Sequence, residues 1–84
     1  MNTRHRRTLE AVFAEPTGAN IEWASIEAMF VALGAEIRER AGSRVSVVLN
    51  HRAEVFHRPH AGREASKAVV KSVRVFLTKA GVQP

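Results

Sequence analysis

The stretch GSRVSVVLNHRAEVFHRPHAG, residues 42–62, decides the fold. Strand side chains alternate between faces. A strand over residues 44–49 therefore puts Val45, Val47 and Leu49 on one face and Arg44, Ser46 and Val48 on the other. Asn50-His51 suits a tight turn, since Asn tolerates positive φ. A further strand over 52–57 runs out into Arg58-Pro59-His60-Ala61-Gly62-Arg63. One end of the sheet thus gathers proton-transfer groups and phosphate-binding cations, a combination that can bind RNA and cut it.

Outward from the hairpin, residues 35–40 read as an earlier strand. Glu36, Arg38 and Arg40 alternate with Ala35, Ile37 and Glu39, so this strand is polar and suits an edge. Two helices precede it. The first is expected over residues 5–14, capped by Thr3, with Leu9, Val12 and Phe13 as its apolar stripe and Pro16 as its stop. The second starts at Glu22 or Ala24 and runs to Leu33. Ile26, Met29, Phe30 and Leu33 form a stripe at i, i+3, i+4 and i+7, and Gly34 follows as the residue past a helix end. The longest helix comes last, from Glu64 or Ala65 to Lys79. Its expected buried stripe is Val69, Val73, Phe76 and Ala80, with Leu77 beside it and Gly81 as its stop.

The expected architecture is α+β: a three-stranded antiparallel sheet with helices on one face and the other face open. Eighty-four residues suit a single domain, 1–84, with one modest core. Its stability should be about 4–12 kcal/mol at ~0.05–0.15 kcal/mol per residue. Hydrophobic content of 45% fits a globular chain. There is no repeat and no low-complexity segment.

Composition narrows the function. Without cysteine there is no disulfide framework and no thiolate metal site. No ligand-spaced His pair on a helix is present, so neither a metal nor a cofactor is expected. The nearly apolar run 28–35 is too short to span a bilayer. Glu10 and Glu15 break the stretch after the basic start, so no secretory signal is expected and a cytoplasmic location is the default. Thirteen Lys and Arg face eight Glu, for a net charge of +5, and ten of the thirteen are Arg. Arginine binds phosphate through a planar fork and stacks on bases, which favours RNA or an acidic partner. The competing reading is an ordinary solvated surface in GC-rich coding sequence.

Lys67, Lys71 and Arg74 recur at i, i+4 and i+7 of the last helix with no acid at i±4 inside the stripe. With Arg63 and Arg58 they would form a ridge able to track a phosphate backbone; the alternative is a solvated helix face. His57 and His60 bracket Arg58-Pro59. Pro59 favours an extended Arg58, and a turn at Ala61-Gly62 can bring the two imidazoles together as acid and base. RNA cleavage without metal needs that pair and a cation for the charged phosphorane. The bland alternative is two loop histidines bonded to carbonyls. His5 and His51 are expected to be exposed, Trp23 to be a core or helix-entry residue, and Phe56 to be buried.

The chain resembles the HicA family of small toxins from bacterial toxin–antitoxin pairs. The resemblance runs from about Ile21 to Val82. It rests on IEAMFVALGAE (26–36), GSRV (42–45), FHRPHAGRE (56–64) and VRVFLTKAGV (73–82), taken in order. It implies a double-stranded-RNA-binding-like fold and the toxin of a type II pair, a ribonuclease that cuts mRNA and is held inactive by a HicB-type antitoxin. The first helix is an addition to the minimal family core. Family members usually carry a catalytic His directly after Gly-Ser or Gly-Asp at the start of the second strand; this chain has Arg44 there. Arginine stays protonated and cannot act as a base, although it can clamp phosphate. His60 matches a His often found before the last helix. The resemblance therefore implies a metal-independent endoribonuclease with His60, and His57 second, in proton transfer. Arg44, Arg58, Arg63, Lys67, Lys71 and Arg74 would hold phosphate. The alternative is a non-catalytic RNA- or protein-binding module of the same fold.

Overall fold

A computed structural model describes residues 1–60 and 62–84. The element order is α1 (Thr3–Phe13), α2 (Trp23–Ala32), β1 (Glu36–Arg40), β2 (Arg44–Leu49), β3 (Arg52–His57) and α3 (Lys67–Lys79). The strands form one antiparallel sheet in the order β1-β2-β3. This is the expected α+β architecture, with the polar β1 at an edge.

The hairpin forms because its turn residues accept left-handed backbone. Asn50 has φ 50° and His51 φ 67°, the two positive values that a two-residue turn needs to match the twist of the flanking strands. Asn50 also donates from Nδ2 to the Ala80 carbonyl at 2.8 Å. The hairpin tip thereby satisfies one of the acceptors that the end of α3 leaves free.

Val45, Val47, Leu49 and Phe56 turn towards the helices and are buried. They meet Ile26, Met29 and Phe30 of α2, Leu9 and Val12 of α1, and Val70, Val73, Phe76 and Leu77 of α3 in one apolar cluster. Trp23, Phe30, Phe56 and Phe76 form its aromatic centre. Phe30 and Phe56 stack at 5.8 Å, and Phe76 meets both edge-on at 5.9 and 5.8 Å. Such offset and edge contacts suit the ring quadrupoles. Trp23 is thus a core residue at the entry of α2, and Phe56 is buried.

Three local expectations need correction. Asn2, not Thr3, caps α1: its Oδ1 accepts from the His5 amide at 2.9 Å. Helix α3 begins at Lys67 rather than Glu64 or Ala65, with the Ser66 hydroxyl accepting from the Val69 amide. Residues 64 and 65 are pulled into extended pairing with the chain before α2. Glu22 bridges Glu64, and the Ala65 amide donates to the Ile21 carbonyl at 2.8 Å. The buried stripe of α3 holds as expected at Val73, Phe76 and Ala80 with Leu77 beside it, but its first position is Val70 rather than Val69. Val70, Val73 and Leu77 are fully buried with Phe76 beside them, and Val69 is only half-buried.

Candidate functional site

Cross-strand partners share a face of the sheet, so the register maps its open side. His57 lies opposite Arg44, and Arg44 opposite Arg40; Val55 lies opposite Ser46, and Ser46 opposite Arg38. Among the described residues no helix packs on this side, and Arg38, Arg40, Arg44, Val55 and His57 are exposed. Ser46 is the exception, buried at 5% on the central strand between longer neighbours.

At the Arg44 end of the sheet an open cleft of about 700 Å³ gathers His57, His60 and Arg63 with Glu39, Glu64 and Arg40. Three sets of contacts build it. The Arg58 amide donates to the Ser43 carbonyl at 2.8 Å, which extends the β2–β3 ladder by one bond. The Trp23 amide donates to the Arg63 carbonyl at 3.2 Å, which ties the far wall to α2. The Arg63 amide donates to the His60 carbonyl at 3.0 Å, closing a turn. Of the turn expected at Ala61-Gly62, Ala61 lies outside the described residues; Gly62 has φ 76°.

The floor of the cleft is an ion-pair clamp. Arg58 forks onto Glu27 of α2, Nε to Oε2 at 2.7 Å and Nη2 to Oε1 at 3.0 Å. It also forks onto Glu39 of β1, Nη1 and Nη2 each at 2.8 Å. The Trp23 indole N–H donates to Glu27 as well. The hydrogen bonds from Arg58 hold the Glu39 carboxyl below its ordinary range. Glu39 first, then Glu27, push the Arg58 guanidinium up, so it is charged at all accessible pH.

The expected phosphate-binding cations divide into two groups. Arg58 is committed to the clamp. Arg74 is committed to the end of α1: Nε donates to the Val12 carbonyl at 3.0 Å, and Nη2 to Ala14 at 3.2 Å and to Thr17 Oγ1 at 3.0 Å. Glu15 pairs with its Nη1. A cation on the last carbonyls of a helix complements the dipole there. Arg44, Arg63, Lys67 and Lys71 are exposed and form no ion pair among the described residues. Arg44 Nε rests on the Ala41 carbonyl at 2.9 Å, leaving its Nη donors free. Lys67 and Lys71 line a shallow groove with Glu15, Pro16 and Thr17.

His57 and His60 are therefore brought to one cleft, while His5 and His51 lie on α1 and at the hairpin tip and do not line it. Glu27, Glu39 and Glu64 are site residues that the sequence alone does not mark. The clamp carboxylates come from elements 31 and 19 residues away from Arg58, with no local signal. Glu64 belongs to the FHRPHAGRE run, where its position signals only a helix start. Among the described residues, no group of three or more His and Glu is arranged to hold a metal ion, and no helix is long and apolar enough to cross a membrane.

A family model described as the HicA toxin of bacterial toxin–antitoxin systems matches residues 23–82. The match begins at the first residue of α2 and ends past α3, so α1 lies outside it. No curated protein and no solved structure gives a significant match.

Proposed function

Because the chain belongs to the HicA toxin family of bacterial toxin–antitoxin systems, we propose that it is a metal-independent endoribonuclease that cuts mRNA and is neutralised by a HicB-type antitoxin. The observation that supports this reading is the cleft in which two histidines share walls with Arg63. In the proposed reaction one imidazole takes the proton from a ribose 2′-OH. The alkoxide attacks the adjacent phosphorus, and the second imidazole protonates the departing 5′ oxygen. The products are a 2′,3′-cyclic phosphate and a 5′-hydroxyl, with no oxidant and no external nucleophile. His60 is the main proton-transfer residue and His57 the second. The guanidinium group of Arg63, on the cleft wall, faces the charge that grows on the phosphorane, and Arg44, opposite His57 on the open face, clamps phosphate beside it.

Lys67 and Lys71 extend the phosphate contacts along α3. Arg58 and Arg74, first expected to touch phosphate, take positioning roles. Arg58 sets the path of the His57–His60 segment, and Arg74 fastens α1 to α3. A non-catalytic binding module of the same fold remains the second reading, favoured by Arg44 standing where the family usually has its His.

Controlled expression with growth and RNA integrity as readouts separates the two. Growth arrest, with RNA fragments ending in cyclic phosphate and an activity that survives chelator, supports the nuclease. Intact RNA together with retained RNA binding supports the binding module.

A further inference from the structure

The open face of the sheet carries an arrangement that the fold alone does not favour. Arg40, Arg44 and His57 stand in one row across β1, β2 and β3, each directly opposite the next. Opposed side chains on an antiparallel pair have Cβ atoms about 4.5–5.5 Å apart, and like charges there are destabilising. One row further along, the same face neutralises its charge, for Arg38 pairs with Glu36 at 2.6 Å. Arg40 and Arg44 form no ion pair among the described residues. The nearest acid in sequence, Glu39, lies on the opposite face and is held by Arg58. The turn between the two arginines keeps them opposed: Gly42 and Ser43 have φ 74° and 61°.

We propose that the Arg40–Arg44–His57 row is a phosphate site for an RNA backbone. It would take the phosphate next to the one held in the cleft. This rests on the ribonuclease reading above and adds Arg40, with a path for the strand, to it. The path is continuous because Arg40 and His57 also line the cleft. A phosphate between two guanidinium groups turns the opposed pair from a repulsive contact into a bridged one. Among the described residues the open face bears no Phe or Trp, so it holds backbone rather than stacked bases.

The test uses the full chain carrying His60→Ala, so that RNA stays intact, and a short single-stranded RNA. Binding is measured between about 50 and 200 mM salt, alongside thermal melting. Arg40→Gln should bind several-fold more weakly, and its salt slope should drop by about 1. Its Tm should nevertheless rise by about 1–8 °C, because the opposed like charge is gone. Arg40→Lys should restore the slope. The opposite signs identify a ligand site, since a merely structural arginine would lower Tm. Unchanged affinity and slope in Arg40→Gln overturn the row and leave the cleft reading intact. If the His60→Ala protein binds no RNA, the row and the cleft reading fall together. If Arg40→Gln loses only the binding of a co-expressed partner protein, the row belongs to a protein interface, and the RNA assignment is wrong.

Discussion

Arg58 grips Glu27 across 31 residues of sequence with two hydrogen bonds, at 2.7 and 3.0 Å. Bidentate arginine–carboxylate pairs combine charge with fixed geometry. The side chains are 30% and 22% exposed, so water screens the pair only in part. Arg58→Lys keeps the charge and loses the fork. It should cost roughly 1–3 kcal/mol, the range for a few hydrogen bonds to charged groups. Denaturant unfolding of Arg58→Lys, Glu27→Gln and the double variant checks this. Strict additivity of the two single losses would mean that the pair is not coupled.

The same clamp makes stability depend on acid. The Glu39 carboxyl titrates below its ordinary value of 4.5 in the folded chain, because Arg58 donates to it. A carboxyl with a depressed folded pKa adds stability above its unfolded value and loses it as pH falls through the folded one. The parent should therefore lose more stability than Glu39→Gln as pH drops below about 4.5, and the two should differ by a constant amount at neutral pH. Tm measured from neutral pH down to strongly acidic buffer tests it, with parallel curves as the contrary result.

The hairpin was legible in residues 42–62 because period-two patterning and a turn-competent Asn are local signals. The buried ring of Phe56 followed from the same alternation. Arg58 and Arg74 look like free cations in the sequence because the acids that engage them are distant. Arg74 had no acid at i±4 on α3, yet Glu15 and three oxygens near the end of α1 reach it from 57 to 62 residues away. Counting local neighbours measures the charge of one helix face and cannot reveal what packs over it. The late start of α3 has a similar origin. Ala65 has good helix propensity, but its amide is taken by Ile21 in another segment, and tertiary pairing overrides propensity.

Phe76 joins α3 to the aromatic centre, edge-on to both Phe30 and Phe56. Phe76→Ala should cost roughly 3–5 kcal/mol, against a total of about 4–12. The variant should be marginally folded at best. Circular dichroism melting decides it, and an unchanged Tm would contradict the packing described.

Asn50 combines a left-handed φ with a bond to Ala80, and three substitutions separate these contributions. Asn50→Gly keeps the backbone freedom and loses about 0.5–1.5 kcal/mol of hydrogen bonding. Asn50→Ala loses both and should cost about 1–2 kcal/mol more than Gly. Asn50→Asp keeps tolerance of positive φ but sets a carboxylate against a carbonyl. It should rank below Gly. A series in which Ala is as stable as Gly would remove the turn argument.

The proposed cleavage reaction turns on His60, which shares the cleft with His57 and Arg63, while Arg44 stands where the family resemblance implies a His. An arginine there cannot accept a proton near neutral pH, so the proposed reaction assigns the transfer to the two cleft imidazoles. His60→Ala should slow RNA cleavage by about 10²–10⁴, the usual worth of a general acid or base. His5→Ala and His51→Ala, remote from the cleft, should cut like the parent. Arg44→His places a third imidazole opposite His57, and should keep or raise the rate at the cost of a phosphate contact. The expected pattern is a higher KM with kcat held or increased. Single-turnover cleavage of a labelled RNA, with the 5′-hydroxyl end checked by kinase labelling, separates these effects. A His60→Ala protein that cuts as fast as the parent would remove His60 from proton transfer and leave His57 as the residue to test next.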